Sequence, residues 1–385
     1  MIESQPAIVG GFQEEILQDD PAILQEYVAD PEVLVLKAVV TRVISARERT
    51  LPALGITVDS QEIEVQFLEG PERGERVIVT NDYVLLSEGD RLFVRRQQIP
   101  GAEEPLYGVI EIQRTGALWV LFGLFALLIL GFGGWQGVRS LVSLFASLFI
   151  ILYLLVPTLV SGYPPILTSI GIASLVLFGA IFFTHGFNKK SLAAFMGTTI
   201  AVTLTGLLAW ASIAGARFTG LGSDESIYLN VNTAGTLDFT GLLLAGIIIG
   251  VLGVLDDIAI TQVAVVKELL VLRGKRTLVD IFWRAMRVGR EHVASLVNTL
   301  VLAYTGAALP LLLWISSAGT DLALEINREM VALEIVRMIV GSIGLIMAVP
   351  ITTAIAVWLL RNLPQEELEG EFGHSHGHEG HDHTH

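Results

Sequence analysis

From Arg114 onward, the chain alternates long apolar runs with short polar segments. Seven of these runs approach the roughly 20 residues that an α-helix needs to cross a bilayer. Tryptophans lie near the ends of several runs, as is typical of an aromatic belt at the membrane interface. The pattern predicts about seven transmembrane helices, at 116–133, 138–160, 165–184, 191–214, 239–257, 295–317 and 335–361.

A different pattern precedes Arg114. Short segments rich in β-branched residues alternate in part between apolar and polar positions, and residues typical of turns separate them. Five strands punctuated in this way predict a small all-β domain of the OB-like type. We expect a structural or partner-docking role, because no stripe of aromatic and basic residues favours nucleic-acid binding. The predicted strands are Val33–Ile44, Glu62–Leu68, Glu75–Thr80, Asp90–Arg96 and Leu106–Ile112.

Together the two patterns predict an α-helical polytopic membrane protein with an N-terminal all-β domain. The composition agrees: 52% of the 385 residues are apolar and the mean hydropathy is +0.63, which is unusual for a soluble protein. The expected parts are a flexible acidic leader (1–32), an extracytoplasmic β domain (33–113), a transmembrane helical domain (114–361) and an acidic, His-rich, disordered tail (362–385).

Charge and cysteine content restrict the function further. Residues 1–113 carry 21 acidic and 9 basic side chains, a net charge of −12, which argues against nucleic acid as a partner. The chain has no cysteine, so disulfides, thiolate metal sites and cysteine nucleophiles are excluded.

The distribution of lysine and arginine predicts the orientation in the membrane. Basic residues follow spans one, three, five and seven, whereas segments 161–165, 215–238 and 318–334 contain few. The basic side is expected to be cytoplasmic, which places the β domain outside and the C-terminus inside a bacterial inner membrane. No signal peptide precedes the β domain. Either span one translocates its own N-terminal domain, or the natural start lies upstream of Met1.

The basic segment after span five predicts an amphipathic helix of its own. Its apolar residues fall on one face, and Arg284, Arg287 and Arg290 fall on the other. Such a helix is expected to lie in the membrane interface, with its guanidinium groups toward anionic headgroups. An anchoring linker is the favoured interpretation, and a gating lever is the alternative.

Two adjacent carboxylates, Asp256 and Asp257, interrupt the apolar residues of span five. A charge in hydrocarbon costs a few kcal/mol, so such residues usually face a bundle interior or an ion path. On a continuous helix Asp257 shares a stripe with Thr261 and Glu268, and Asp256 points away from it. Carboxylate and hydroxyl oxygens suit hard cations or proton relay. The alternative is a helix that ends at the interface with both carboxylates hydrated.

Further polar groups lie in the predicted spans. Each is more often a hydrogen-bonding partner of another helix than a ligand. His185, at the end of span three, is interpreted as an exposed loop histidine rather than a proton shuttle. The predicted substrate- or ion-binding site, at the cytoplasmic end of span five, consists of Asp256, Asp257, Thr261, Gln262, Glu268, Asn298 and Thr299.

The C-terminus contains six of the eight histidines. Clustered imidazoles beside acidic residues bind Zn, Ni, Cu or Co, so a divalent metal is a hypothesis for the tail. The alternatives are that the tail only takes up metal weakly or that it has no role. No other cofactor is expected. The candidate metal ligands are His374, His376, His378, His381, His383 and His385.

Sequence signatures of catalysis are missing from the chain. It contains no HExxH, GxSxG, Walker, GxGD or DDxxD motif, so metalloprotease, lipase, ATPase, presenilin-type protease and prenyl transferase interpretations lose their main support. The protein is therefore not expected to be an enzyme.

The block from Gly250 to Leu269 reads GVLGVLDDIAITQVAVVKEL and follows several spans and a β-rich lobe. This combination resembles the YibE/F-like membrane proteins of bacteria. In the lobe, segments 62–68, 77–81 and 86–94 also resemble that family. The resemblance implies a multi-pass protein of the bacterial inner membrane.

A permease for a small ion or solute is the leading functional prediction, with the span-five acids as a cation or proton site. The alternative is a non-transporting membrane scaffold that displays the β domain to a partner. The lipid bilayer is the expected surrounding, and a homo-oligomer is one possible assembly. Acids that converge with polar residues of other spans would favour transport, and hydrated acids at a helix end would favour the scaffold.

Overall fold

The structure is a computed structural model that describes residues 33–51, 56–82, 84–98, 105–274, 276–317, 319 and 321–364. The predicted leader (1–32) and all but the first residues of the predicted tail (362–385) lie outside the described residues. The chain divides into two compact units, one ending at Phe125 and the other beginning at Ala126.

The first unit contains an antiparallel half-barrel. Its five strands pair in the order β3-β2-β1-β4-β5, and the edge strands β3 and β5 approach each other. The inward residues that alternate along the strands form its core, among them Leu36, Ile63 and Leu92. The strands are β1 (Val33–Leu51), β2 (Ile56–Phe67), β3 (Arg76–Asn81), β4 (Arg91–Gln97) and β5 (Leu106–Ile112).

The sequence pattern predicted five strands in these places, but the β1–β2 hairpin is longer than predicted. β4 pairs with β1 only between Val33 and Val39, whereas β1 and β2 remain paired as far as Leu51 and Ile56. The outer part of this ribbon pairs on one edge only, and Ala46, Arg47 and Glu48 within it are exposed. A strand without a buried face carries no regular hydrophobic alternation. Alternation is the signal by which a strand is recognised in a sequence.

The remaining chain is helical. Side chains cap several helix starts: Asn188 accepts a hydrogen bond from the amide of Ser191, and Asp238 accepts one from the amide of Gly241. The helices are α1 (Thr115–Ile150), a π-helical segment (Ile151–Leu155), α2 (Val156–Val160), α3 (Pro165–His185), α4 (Lys189–Ala216), α5 (Asp224–Asn232), α6 (Phe239–Val271), α7 (Leu278–Ala307), α8 (Leu309–Ser317), α9 (Leu322–Asn327) and α10 (Glu329–Leu360).

The described residues contain five helices that are long and apolar enough to cross a membrane. The number is six if α7 and α8, which meet at a bend of 64°, count as one span. The difference from the predicted seven arises in Thr115–Val160, which counts once although it has 46 residues and holds two of the predicted spans.

This long stretch is interrupted at Gly134. The backbone there is non-helical, with φ 51° and ψ −133°, a conformation that favours glycine. A β-carbon added at Gly137 would clash with the carbonyl oxygen of Ile129, yet residues eight apart in a straight helix are separated by about 12 Å. The chain therefore bends sharply between Ile129 and Gly137.

Small residues bring α4 and α10 close together. A β-carbon at Gly197 of α4 would clash with Thr352 of α10, and one at Gly344 of α10 would clash with Thr205 of α4. These reciprocal contacts resemble the small-residue packing common between membrane helices. Helix α6 packs against both α4 and α10, so the three form the centre of the bundle.

Contacts between connecting segments define one end of the bundle. The Glu329 carboxylate accepts hydrogen bonds from the amides of Thr219 and Gly220, at 3.0 and 2.7 Å, and from the Thr219 hydroxyl. Gly241, at the start of α6, lies against Pro165. The base-poor segments 161–165, 215–238 and 318–334 therefore meet at the same end.

Basic residues gather at the opposite end. His185 and Lys190, which flank the α3–α4 turn, line one cavity together with Lys267 of α6. Leu278, at the start of α7, lies near Arg361, which follows α10. The alternation of basic and base-poor segments along the sequence thus corresponds to two spatially separate ends.

Candidate functional site

The Asp256–Asp257 pair lies in the middle of a continuous helix. Span five was predicted to end at residue 257, but α6 continues to Val271. The apolar residues 258–266 continue the helix beyond the pair and pack into the core of the bundle. The carboxylates therefore do not sit at a helix end. The alternative interpretation, in which both carboxylates are hydrated at the interface, assumed such a helix end.

Both carboxylates line a cavity of about 450 Å³ between α1, α3 and α6. The α6 wall is a helical stripe that runs from Ile249 to Ile260, and Gly253 leaves space within it. The polar residues that line the cavity are Ser140, Ser143, Ser147, Thr184, His185, Asp256 and Asp257.

The three serines of α1 were missed in the sequence analysis. Ser140, Ser143 and Ser147 are spaced by three and four residues, so they share one face of the helix. In a span that is otherwise almost entirely apolar, this regular spacing of serines could have indicated a polar face. The cavity therefore joins two carboxylates with hydroxyl groups from two other helices.

Asp256 and Asp257 differ in their surroundings. Asp257 is exposed toward the cavity, whereas Asp256 is partly buried. The Oδ1 atom of Asp256 is buried without a hydrogen-bond partner among the described residues. A buried carboxylate oxygen usually has a partner, and a proton or a cation would supply one here.

A second, smaller cavity lies on the basic side of the first. Its volume is about 210 Å³, and His185 and Ile260 line both cavities. Its other polar residues include Lys267, which is only 6% exposed, and Glu268. His185 is exposed, as expected, but it is the last residue of α3 rather than a loop residue, and it lines both cavities.

Thr261 and Gln262 face away from this arrangement. Thr261 lines neither cavity. The Gln262 amide is buried and donates to the Ala285 carbonyl of α7 at 3.0 Å and to the Thr353 hydroxyl of α10 at 2.7 Å. Gln262 therefore connects three helices, as a buried amide in a membrane bundle often does.

Asn298 and Thr299 are also outside the cavities. Both are exposed on α7, and the Thr299 hydroxyl donates to the carbonyl of Ser295 within its own helix. The structure therefore brings together Asp256 and Asp257, places Glu268 in the adjoining cavity, and leaves the other four predicted site residues on different faces.

Metal binding has no support from the described residues. They contain no group of three histidine, aspartate or glutamate side chains that could hold a metal ion. The histidines of the tail, His374 to His385, lie outside the described part of the chain. The oxygen atoms around Asp256 and Asp257 are better suited to a proton or a weakly held cation than to a tightly bound metal.

Residues 121–362 match a protein family described as YibE/F-like protein. The match covers more than half of the chain. The chain belongs to the YibE/F-like family. The predicted family resemblance is therefore confirmed over the helical part, and the YibE/F-like match includes all residues of both cavities. The half-barrel precedes the matched residues. No curated protein and no solved structure matches the chain.

Proposed function

We propose that this YibE/F-like protein is a multi-pass permease for a small cation or for protons, and that Asp256 and Asp257 hold the ion. The observation that carries this proposal is the cavity that both carboxylates line together with hydroxyl groups from α1 and α3. A polytopic protein rarely places two acids inside its helical bundle unless they contact an ion or a polar path.

The expected route leads from the larger cavity past His185 to the smaller one. His185 lines both cavities, and imidazole accepts and donates protons near neutral pH. Lys267 and Glu268 follow at the basic end of the bundle. Substrates larger than a hydrated ion or small solute are disfavoured by the 450 Å³ volume of the larger cavity.

Seven spans fit the proposed permease better than five or six. A straight helix of 46 residues would be about 69 Å long, more than twice the thickness of the hydrocarbon core. The break at Gly134 and the contact between Gly137 and Ile129 support two shorter spans. With α7 and α8 as one broken span, the total is seven, an odd number, as the proposed topology requires.

The orientation predicts which segments are accessible from outside the cell. Single cysteines introduced as Ser223→Cys and Thr277→Cys lie at opposite ends of the bundle in a chain that has no other cysteine. An impermeant thiol reagent applied to intact cells is expected to label position 223 and to spare position 277 until the cells are lysed. Labelling at 277 but not at 223 would invert the proposed topology.

Filling the larger cavity is the direct test of the permease proposal. A β-carbon at Gly253 meets no atom within 4 Å, and Gly253 lines the cavity. Leucine is therefore expected to fit in Gly253→Leu and to occupy the space. The purified variant is assayed in liposomes for flux across a panel of ions and for proton movement. Its flux should be at least about tenfold lower than that of the unchanged protein.

Gly246→Leu provides the matched control. Gly246 is also exposed on α6 with no atom within 4 Å of an added β-carbon, but it does not line the cavity. Its flux should equal that of the unchanged protein. Equal flux in both variants would place the route elsewhere. An absence of ion-dependent flux in the unchanged protein would favour the scaffold alternative, in which the half-barrel is displayed to a partner.

The chain is proposed to act without enzymatic chemistry. Metal binding by the tail histidines, His374 to His385, remains a separate proposal. The permease site does not depend on it, because the described residues that line the cavities lie between Ser140 and Glu268.

A further inference from the structure

The smaller of the two cavities is lined by more cationic than anionic groups. Among the described residues that line it, Lys190 and Lys267 carry positive charge, and His185 gains one when it is protonated. Glu268 is the one carboxylate in this part of the lining, and it is exposed. The smaller cavity therefore has a net positive lining, in contrast to the larger cavity with its two carboxylates.

Lys267 is an unusual member of this lining, because only 6% of it is exposed. A lysine that is withdrawn from water costs free energy unless negative charge lies near its ammonium group. The residue belongs to the last turns of α6, and Val263 and Ala264 of the same helix also line the cavity. The cavity thus presents a cationic group that is held inside the protein rather than dispersed in solvent.

The first turn of α4 forms another part of the cavity wall. Asn188, which caps this helix, lines the cavity together with Lys190 and Ser191. The amides at the start of an α-helix carry partial positive charge, which attracts anions. The Asn188 side chain already accepts a hydrogen bond from the Ser191 amide, so this attraction comes from the helix end as a whole rather than from that one amide.

The hydroxyl group of Ser191 indicates the kind of ligand. Ser191 is 3% exposed, and its Oγ atom is buried without a hydrogen-bond partner among the described residues. Within a helix, a serine often donates to the carbonyl four residues earlier, as Ser174 does to Ile170. Ser191 stands in the first turn of α4, where the residue four positions earlier precedes the helix. An oxyanion in the cavity would accept a hydrogen bond from this hydroxyl.

We propose that the smaller cavity is a binding site for an oxyanion of the phosphate class, held by Lys267, the Ser191 hydroxyl and the first turn of α4. Phosphate carries one to two negative charges, which matches the excess of cationic groups over the single carboxylate in the lining. The phosphate group belongs either to the free ion or to a phospholipid headgroup, since both are present at the membrane surface. The site goes beyond the proposed permease and does not require its cation site.

Binding of inorganic phosphate to the purified full chain, in nanodiscs of phosphatidylcholine, tests the proposal. Radiolabelled phosphate is titrated at constant ionic strength, with chloride as the replacing salt, because salt screens charge. Lys267→Met removes the charge and nearly keeps the length of the side chain, so the affinity should fall at least about tenfold. Ser191→Ala removes one hydrogen bond and should lower the affinity about threefold to tenfold.

Lys189→Met is the matched control. Lys189 precedes Lys190 on the same helix and carries the same charge, but it is exposed and does not line the cavity. The phosphate affinity should change by no more than about twofold, since an exposed charge is screened by solvent. Equal losses in Lys189→Met and Lys267→Met would mean that phosphate is attracted only by the overall charge of the basic end, which would overturn the proposed site.

A second measurement separates the free ion from a lipid headgroup. The full chain is purified from membranes that contain phosphatidic acid, and the lipid that remains bound is quantified. Less phosphatidic acid on Lys267→Met than on Lys189→Met would assign the cavity to a headgroup, whereas equal amounts together with Lys267-dependent phosphate binding would assign it to the free ion. If Lys267→Met changes neither phosphate binding nor lipid retention, the proposal is wrong.

Thermal unfolding shows whether the variants remain folded. A ligand that binds only the folded state raises the unfolding midpoint, so phosphate should raise the midpoint of the unchanged protein relative to chloride and leave that of Lys267→Met unchanged. If Lys267→Met does not fold, Ser191→Ala carries the test, and an unchanged phosphate affinity in that variant contradicts the site. None of these measurements involves ion flux, so the anion site can fail while the permease proposal stands.

Discussion

Asp257→Asn is expected to reduce ion flux by at least about tenfold while the protein inserts and folds normally. Asparagine keeps the shape of the side chain and removes its charge, and a neutral amide cannot relay protons and holds cations weakly. Asp257 is exposed toward the larger cavity and has no packing role that asparagine would disturb. Flux in liposomes, normalised to the amount of inserted protein, is the measurement.

Asp256→Asn should also lower the flux strongly. The sequence alone suggested a lesser role for Asp256, because it points away from the stripe shared by Asp257 and Thr261. In the structure both residues line the same cavity, and an oxygen atom of Asp256 is buried without a partner. Asp224→Asn is a charge-matched control, since Asp224 begins the short helix α5 away from both cavities. Full flux in both α6 variants would show that the proposed ion site is wrong.

Gly344→Leu is expected to destabilise the helical bundle more than any other single change considered above. A β-carbon at this position already clashes with the side chain of Thr205, and leucine adds three further carbon atoms at the tightest contact between α4 and α10. Overpacking of this kind costs about 1–3 kcal/mol or more, because neighbouring side chains must leave their preferred rotamers. Thermal unfolding in detergent, followed by loss of helical signal, should show a clearly lower midpoint.

Two further variants distinguish overpacking from a general effect of removing glycine. Gly171→Leu on α3 introduces the same residue where no atom lies within 4 Å, so its midpoint should be unchanged or slightly higher, because leucine favours helix more than glycine does. Combining Gly344→Leu with Thr205→Ala makes room for the new side chain and should recover part of the lost stability. A midpoint for Gly344→Leu equal to that of Gly171→Leu would contradict the close α4–α10 contact.

Local patterns in the sequence determined the elements of this protein. Short segments rich in β-branched residues, which alternate in part between apolar and polar positions, predicted the five strands of the half-barrel, because a strand with one buried face tends to alternate. Long apolar runs marked the bundle helices, because helices that cross a membrane must be apolar over most of their length. The block from Gly250 to Leu269, together with the spans and the β-rich lobe before it, indicated the YibE/F-like family, which the match over residues 121–362 confirmed.

Some boundaries depended on packing that no local pattern records. The sequence separated a basic interfacial helix from a span at 295–317, whereas α7 is one helix from Leu278 to Ala307. Its first turns remain helical within the bundle because Ala285 and Gly289 pack against Gln262 and α10. The buried face that causes this belongs to residues far apart in the sequence, so periodicity within the segment could not show it.

The composition of the candidate site was decided by the tertiary structure. A helical wheel places the residues of one helix relative to each other, but it does not say which face meets which neighbour. Only the arrangement of α1 and α3 beside α6 places Ser143 and His185 in the same cavity as Asp256. Only the contact with α7 and α10 turns Gln262 into a connection between helices. The sequence by itself thus determined which residues are costly to bury, and the fold decided which of them share a cavity, because that depends on contacts between helices distant in the chain.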